Sequence, residues 1–287
     1  MLTRRQTLLL ITPFVLVVVP FLIVPMLGGF LITLTDYRLF RADINFVGLQ
    51  NYSRLFADST FRDSLLNVSI FTLISVPLDL ICGLMIALAL RRPFRGRALL
   101  RTALLAPWMI SPVAHGVLWH QMINAQHGLL SFFPAVLGSP GQPDLLGVQS
   151  ALATVIVTDV WRKAPLAAFL ILPGLLAISS PHWENARLDG LRLLGQIRHI
   201  ALPHMRPLLF TVGLLLAGDA LGTSESLLYL TGGGPGTRTF MPGLYAYNKA
   251  ITAGNWLIGT TASWCVVIGT LLLGLIYLRL TRRGASE

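Results

Sequence analysis

Six apolar runs, separated by shorter polar stretches, constrain this chain more than anything else in it. They lie at about Leu8–Thr35, Leu65–Leu90, Thr102–Ile123, Gln149–Ile178, Pro207–Leu230 and Leu257–Leu280. A helix that crosses a bilayer needs roughly 20 consecutive, mostly apolar residues. Every run meets that length. The composition agrees, because 54% of the residues are hydrophobic and only 12% are charged. Soluble domains carry about 25% charged residues, so a soluble helical protein is excluded for want of charges to solvate its surface. The expectation is an all-α polytopic membrane protein with six transmembrane helices. The first run follows Arg4 and Arg5. A signal peptide has an apolar core of about 7–15 residues and a small-residue cleavage site; this run is longer and has no such site. It reads as a retained first helix, bent at Pro20 and Pro25.

Basic residues orient the spans. Fourteen fall on one side: Arg4 and Arg5, the loop from Arg91 to Arg101, the loop holding Arg187, Arg192, Arg198 and Arg206, and the tail with Arg279, Arg282 and Arg283. Six fall on the other, and four of those share the Asp36–Ser64 loop with four aspartates. Lys and Arg concentrate in cytoplasmic loops, so both termini should be cytoplasmic. The remaining outward loops are about Asn124–Val148 and Thr231–Trp256. The net charge of +10 is thereby assigned to loops at a lipid bilayer, with no nucleic acid among the partners.

Several chemistries lack their residues. A phosphate-binding loop needs Gly-Lys before Ser or Thr, and no Gly-Lys pair occurs in the chain. The glycine-rich Gly232–Gly236 stretch therefore binds no ATP by that motif, and any ATPase is another polypeptide. His115 and His120 are five apart, as are His199 and His204. Helical metal ligands recur at i and i+4 with a third ligand nearby, so hydrogen-bonded histidines are expected and no metal site. Cys82 and Cys265 fall inside apolar runs and read as buried packing. No nucleophile-base pair marks an enzyme.

The polar segment before the fifth run reads ENARLDGLRLLGQIRHIALPHMRP from Glu184 to Pro207. Leu188, Leu191, Leu194 and Ile197 recur at roughly helical spacing, which fits short amphipathic helices. Gly190 permits a sharp turn between them. Pro203 and Pro207 should end the second helix and start the fifth span. Glu184 and Asp189 offer carboxylates to a basic partner surface. This segment resembles the cytoplasmic coupling loop of ABC-importer permeases, E-A-A-x-x-x-G followed by I-x-L-P. Glu184, Ala186, Gly190, Ile200, Leu202 and Pro203 match, and Asn185 stands where the first alanine is usual.

Two further stretches resemble the carbohydrate branch of that family. PWMISPVAHGVLWHQMINAQHG, from Pro107 to Gly128, is similar to its third-span signature. LTGGGPG, from Leu230 to Gly236, is similar to its turn after the fifth span, as in the maltose and glycerol-phosphate types. The resemblance implies the type I ABC-importer permease fold in a bacterial plasma membrane. An N-terminal helix and external loop would occupy residues 1–64. A permease domain would occupy 65–281, with its coupling loop at 179–206. It also implies a second homologous permease, two ATP-binding subunits holding ATP and Mg, an extracytoplasmic solute-binding protein and a sugar-like solute moved by alternating access.

Six charged residues fall in or near the spans: Asp79, Asp159, Arg162, Lys163, Asp219 and Glu225. A charge at the bilayer centre costs about 2.5–3.5 kcal/mol on insertion scales, so these should pair or face a cavity. Asp159 is within helical reach of Arg162 at i+3 and Lys163 at i+4, which favours structural pairing. Asp79, Asp219 and Glu225 are candidates for a solute pathway, with Trp161 as a face on which a sugar could stack. In a different class, an ion-driven secondary transporter would use Asp79 and Asp219 as proton carriers.

Overall fold

A computed structural model describes residues 4–38, 43–124, 128–129 and 144–284. The described residues are helical apart from turns and one isolated bridge, Thr35 to Phe46. The first span is α1 (Arg4–Val18), a π-helical turn at Val19–Ile23, and α2 (Val24–Thr33). The amide of Val24 donates to the carbonyl of Val19, the wider spacing that lets a helix pass prolines. Then come α3 (Gln50–Ala57) and α4 (Ser59–Arg91), the latter capped by the Asp58 carboxylate on the Thr60 amide at 2.9 Å.

Among the described residues, four stretches are long and apolar enough to cross a bilayer: Ile11–Thr33, Ser59–Arg91, Leu193–Gly222 and Trp256–Arg279. A fifth, α7 (Ala151–Ala177), meets α8 (Ser180–Leu188) at a bend of 85°. The third apolar run is interrupted. It forms α5 (Arg97–Met109) and α6 (Pro112–Ile123). Ile110 is extended between them, and Ser111 accepts from the Ala114 amide at 3.2 Å to start α6 afresh. Pro112 follows at the first helical position, where a missing amide costs nothing.

The approach to the fifth run also differs from expectation. Pro203 and Pro207 do not end the helix that precedes it. From α9 (Leu193–Gln196) a π turn at Ile197–Ala201 leads directly into α10 (Leu202–Gly222). The Leu202 amide reaches back to Ile197. The end of that run is a separate short helix, α11 (Glu225–Leu230), after a break at Thr223 and Ser224. The chain finishes with α12 (Pro242–Tyr247), a π turn at Asn248–Thr252 and α13 (Trp256–Gly284).

The core is made where small residues let helices close. A Cβ added at Gly83 of α4 would stand 2.6 Å from the Ala167 Cβ and 3.0 Å from the Ala168 amide nitrogen of α7. Close backbone approach at small residues is how helices associate in lipid, where no hydrophobic driving force separates them from acyl chains. Gly116 of α6 likewise admits the backbone of α11 at Ser226 and Leu230. Asn67 of α4 donates to the Thr237 and Phe240 carbonyls at 2.6 and 3.0 Å, which pins the glycine-rich turn onto that helix. Gly232, Gly233 and Gly236 within the turn all have positive φ. Most of the Asn124–Val148 loop lies outside the described residues.

Candidate functional site

Two arrangements stand out, one inside the helical body and one at its end. The first is a charge cluster where α7 faces α10. Lys163 Nζ lies 2.9 Å from Asp159 and 2.6 Å from Asp219. Arg162 lies 3.6 Å from Asp159 and 3.9 Å from Asp219. Asp159, Arg162 and Lys163 are buried, whereas the Asp219 side chain is 58% exposed. The helical spacing within α7 announces the Asp159 pairs; the Asp219 pairs come from another helix and had no local signal. Asp219 thus sits in the ion-pair cluster as well as on a cavity. Asp79 is buried on α4, and its Oδ1 has no hydrogen-bond partner.

The cavity beside the cluster measures about 250 Å³ and is lined by Pro112, Arg162, Asp219 and the Gly222–Ser226 segment. Its walls include three helix ends from the two interruptions already described: the start of α6, the end of α10 and the start of α11. Glu225 is exposed on this wall. His115 ties the walls together. Its Nδ1 meets the Ser226 hydroxyl at 2.8 Å and its Nε2 meets the Thr158 carbonyl at 3.0 Å. His120 meets the Leu230 carbonyl at 2.8 Å. Trp161 is 43% exposed, stacks on His115 and meets Trp119 edge-on. It does not line this cavity.

The second arrangement is the helical hairpin around Gly190. Trp183 and Ala186 of α8 are buried in a cluster with Ala87, Leu90, Ile200 and Ala201. The Arg91 guanidinium sits 3.7 Å over the Trp183 ring. On the other side of α8, Glu184, Asn185 and Asp189 are exposed, and so is Leu188. Gly190 has φ of +75° with nothing near its Cβ position. The Leu191 amide donates to the Ala186 carbonyl at 2.9 Å. This six-to-one bond across a left-handed residue is the Schellman close of a helix. The glycine is required by backbone angle alone. Past the turn, Leu193 and Leu194 are exposed, Ile200 is buried, and Leu202 and Pro203 face outward. The expected helical stripe is therefore cut at Gly190: Leu188 and Leu194 project outward, while Leu191 and Ile197 are half-buried.

A bundle of apolar helices with a buried charge cluster, a polar cavity and an externally presented hairpin defines a membrane transport subunit. Residues 79–283 match the family described as binding-protein-dependent transport system inner membrane component, and the chain belongs to that family. It is 34% identical over 276 residues to the trehalose/maltose transport system permease protein MalF of Thermococcus litoralis, covering 96% of this chain and 92% of that one. It is 28% identical over 232 residues to the sn-glycerol-3-phosphate transport system permease protein UgpA of Agrobacterium fabrum, covering 80% and 78%. Its fold matches a chain of a bacterial alginate ABC transporter, solved with an alginate pentasaccharide-bound periplasmic protein. That match has a TM-score of 0.82 at 20% identity and covers 98% of this chain and 96% of the other.

Proposed function

We propose that this chain is one of two permease subunits of an ATP-driven importer for a sugar-type solute. In this reading the hairpin at Glu184–Pro203 docks onto an ATPase subunit. The observation that carries it is the division of α8, with Trp183 and Ala186 anchored in the bundle while Glu184, Asn185 and Asp189 are presented outward. A docked helix with such an anchor passes movement of its partner to α4, α7 and α10. ATP and Mg belong to those partner subunits, and an extracytoplasmic binding protein delivers the solute. The solute class is supported by the names of the similar permeases, which concern trehalose, maltose and glycerol phosphate.

In the same reading the 250 Å³ cavity is one wall of a site that the second permease completes. Pockets for small molecules are usually about 300–1,000 Å³. The Glu225 and Asp219 carboxylates accept hydrogen bonds from solute hydroxyls. Trp161 and Asp79 belong to the pathway through alternating access, while Asp159, Arg162 and Lys163 hold α7 to α10. Residues 1–64 form the added first helix and external loop, and 65–281 the permease domain. Both termini face the cytoplasm of a bacterial plasma membrane. Membership of a binding-protein-dependent family disfavours the ion-gradient reading.

The test is solute uptake by the complex reconstituted in proteoliposomes with its binding protein. Glu184→Lys is expected to leave the complex inserted and to abolish ATP-dependent uptake, because it reverses a charge at the docking surface. Wild-type uptake by Glu184→Lys discards the docking role. The ligand retained by the cognate binding protein identifies the solute; a ligand with no hydroxyl groups overturns the sugar assignment.

A further inference from the structure

At the end of the bundle remote from the Gly190 hairpin lies a pocket of about 370 Å³ that none of these roles uses. The remoteness follows from the chain path: α3 lines this pocket and is followed directly by α4, which ends at Arg91 over Trp183. The pocket forms where the first span ends and the last begins. Tyr37 and Arg38 follow the first span, Asn51 and Arg54 belong to α3, and Trp256 opens α13. Among the described residues that line it, none is acidic. Arg38 and Arg54 are both exposed.

Asn51 lines the same pocket. It is only 1% exposed. Its Nδ2 donates to the carbonyls of Thr33 and Thr35 at 2.8 and 2.7 Å. Those two acceptors settle the amide's orientation, and they leave Oδ1 without a hydrogen-bond partner. A buried acceptor without a donor is unfavourable, and Asn51 lines the pocket, so a hydroxyl donor in the pocket is the group this site lacks. Two guanidiniums beside it call for a phosphate.

The surroundings say where that phosphate resides. Between Arg38 and Asn51, which line the pocket, the chain carries Ile44, Phe46 and Leu49, which are 54%, 77% and 70% exposed. Such side chains beside the ends of two spans belong at acyl-chain depth, and Tyr and Trp mark the headgroup level. We propose that the pocket seats a phosphate diester bearing a free hydroxyl, as in a glycerol-headed anionic phospholipid, between the first and last spans. Arg38 and Arg54 hold the phosphate and Asn51 accepts from the hydroxyl. The site clamps the added first helix to the permease body. It does not depend on the identity of the transported solute, so a wrong solute assignment leaves it standing.

Native mass spectrometry of the assembled, delipidated transporter tests it. Phosphatidylglycerol is titrated against phosphatidylcholine, phosphatidylmethanol and water-soluble glycerol phosphate. An arginine near an anionic headgroup contributes about fivefold. Arg38→Gln with Arg54→Gln is therefore expected to weaken phosphatidylglycerol binding by about 30-fold, by the same per-residue figure, and to leave phosphatidylcholine binding unchanged. Phosphatidylmethanol, an anion without the hydroxyl, is expected to bind more weakly than phosphatidylglycerol. Equal binding by those two removes the role of Asn51. Glycerol phosphate that competes at equal concentration makes the ligand a soluble phosphate ester and overturns the lipid source. Phosphatidylglycerol binding that is unmoved by the double substitution overturns the site.

Discussion

At the residue scale, the lysine at the centre of the ion cluster carries the sharpest consequence. Lys163 faces two carboxylates, and Asp159 on its own helix is buried with it. Breaking a buried pair strands a charge and costs about 3–5 kcal/mol. Lys163→Met is expected to lower the thermal stability of the detergent-purified complex strongly, and Asp159→Asn in the same chain to restore part of it. Asp219→Asn should cost less, because that carboxylate is 58% exposed and water replaces its partner. Equal losses for Asp159→Asn and Asp219→Asn on a thermal-shift measurement contradict this order. Gly190 makes a different kind of prediction. Its left-handed angle costs an L-residue about 1–2 kcal/mol, but no neighbour blocks a side chain there. Gly190→Asn, which tolerates that region, is expected to retain more uptake than Gly190→Val. Asp58 adds a pH dependence. Burial raises its carboxyl, but the Tyr245 hydroxyl at 2.7 Å and the Lys249 ammonium at 3.1 Å outweigh it and hold the net value below the ordinary 3.8. A carboxylate depressed by folding stabilises the fold above its unfolded value and loses that contribution as pH falls through the folded one. The wild-type complex should therefore lose stability below about pH 4 more steeply than Asp58→Asn, read as melting temperature against pH.

At the scale of elements, the interruptions matter more than the spans. Each break follows from a local inability to continue a helix. Pro107 and Pro112 bracket Ile110 and Ser111, and α10 gives way to α11 at Thr223 and Ser224. These ends meet because Gly116 lets the backbone of α11 lie against α6. The same device joins α4 to α7 at Gly83. A larger side chain there must part the two helices, and overpacking a close contact costs about 1–3 kcal/mol. Gly83→Leu is expected to reduce the amount of folded complex recovered by size-exclusion chromatography. Gly213→Ala, where the nearest atom is a leucine methyl at 3.4 Å, should change recovery little. The six apolar runs were legible in the chain, because length and apolarity are properties of consecutive residues. The break in the third run was not, because an extended Ile110 leaves no mark in hydropathy. Pro203 and Pro207 misled for a related reason: a π turn at Ile197–Ala201 leads into Pro203 and the helix continues through both prolines.

For the whole molecule, orientation is the open test. Fourteen basic residues against six predict that the Glu184 hairpin lies inside. A cysteine placed at Asn185 is exposed to solvent and should resist an impermeant thiol reagent in intact cells, then react once the membrane is opened. Labelling before permeabilisation reverses the topology. By itself the sequence determined the membrane class, the absence of a Gly-Lys phosphate loop, the family resemblance through the Glu184–Pro203 pattern, and the pairing of Asp159 with its helical neighbours. All of these are written in residues a few positions apart, where composition and helical geometry suffice. Only the tertiary structure decided that Asp219 of α10 reaches Lys163 of α7, that α6 and α11 wall a common cavity, and that Trp183 anchors the hairpin under Arg91. Those contacts join residues on different helices. Their partners are chosen by how closely small side chains let the helices approach, a property of the packed bundle that no single segment carries.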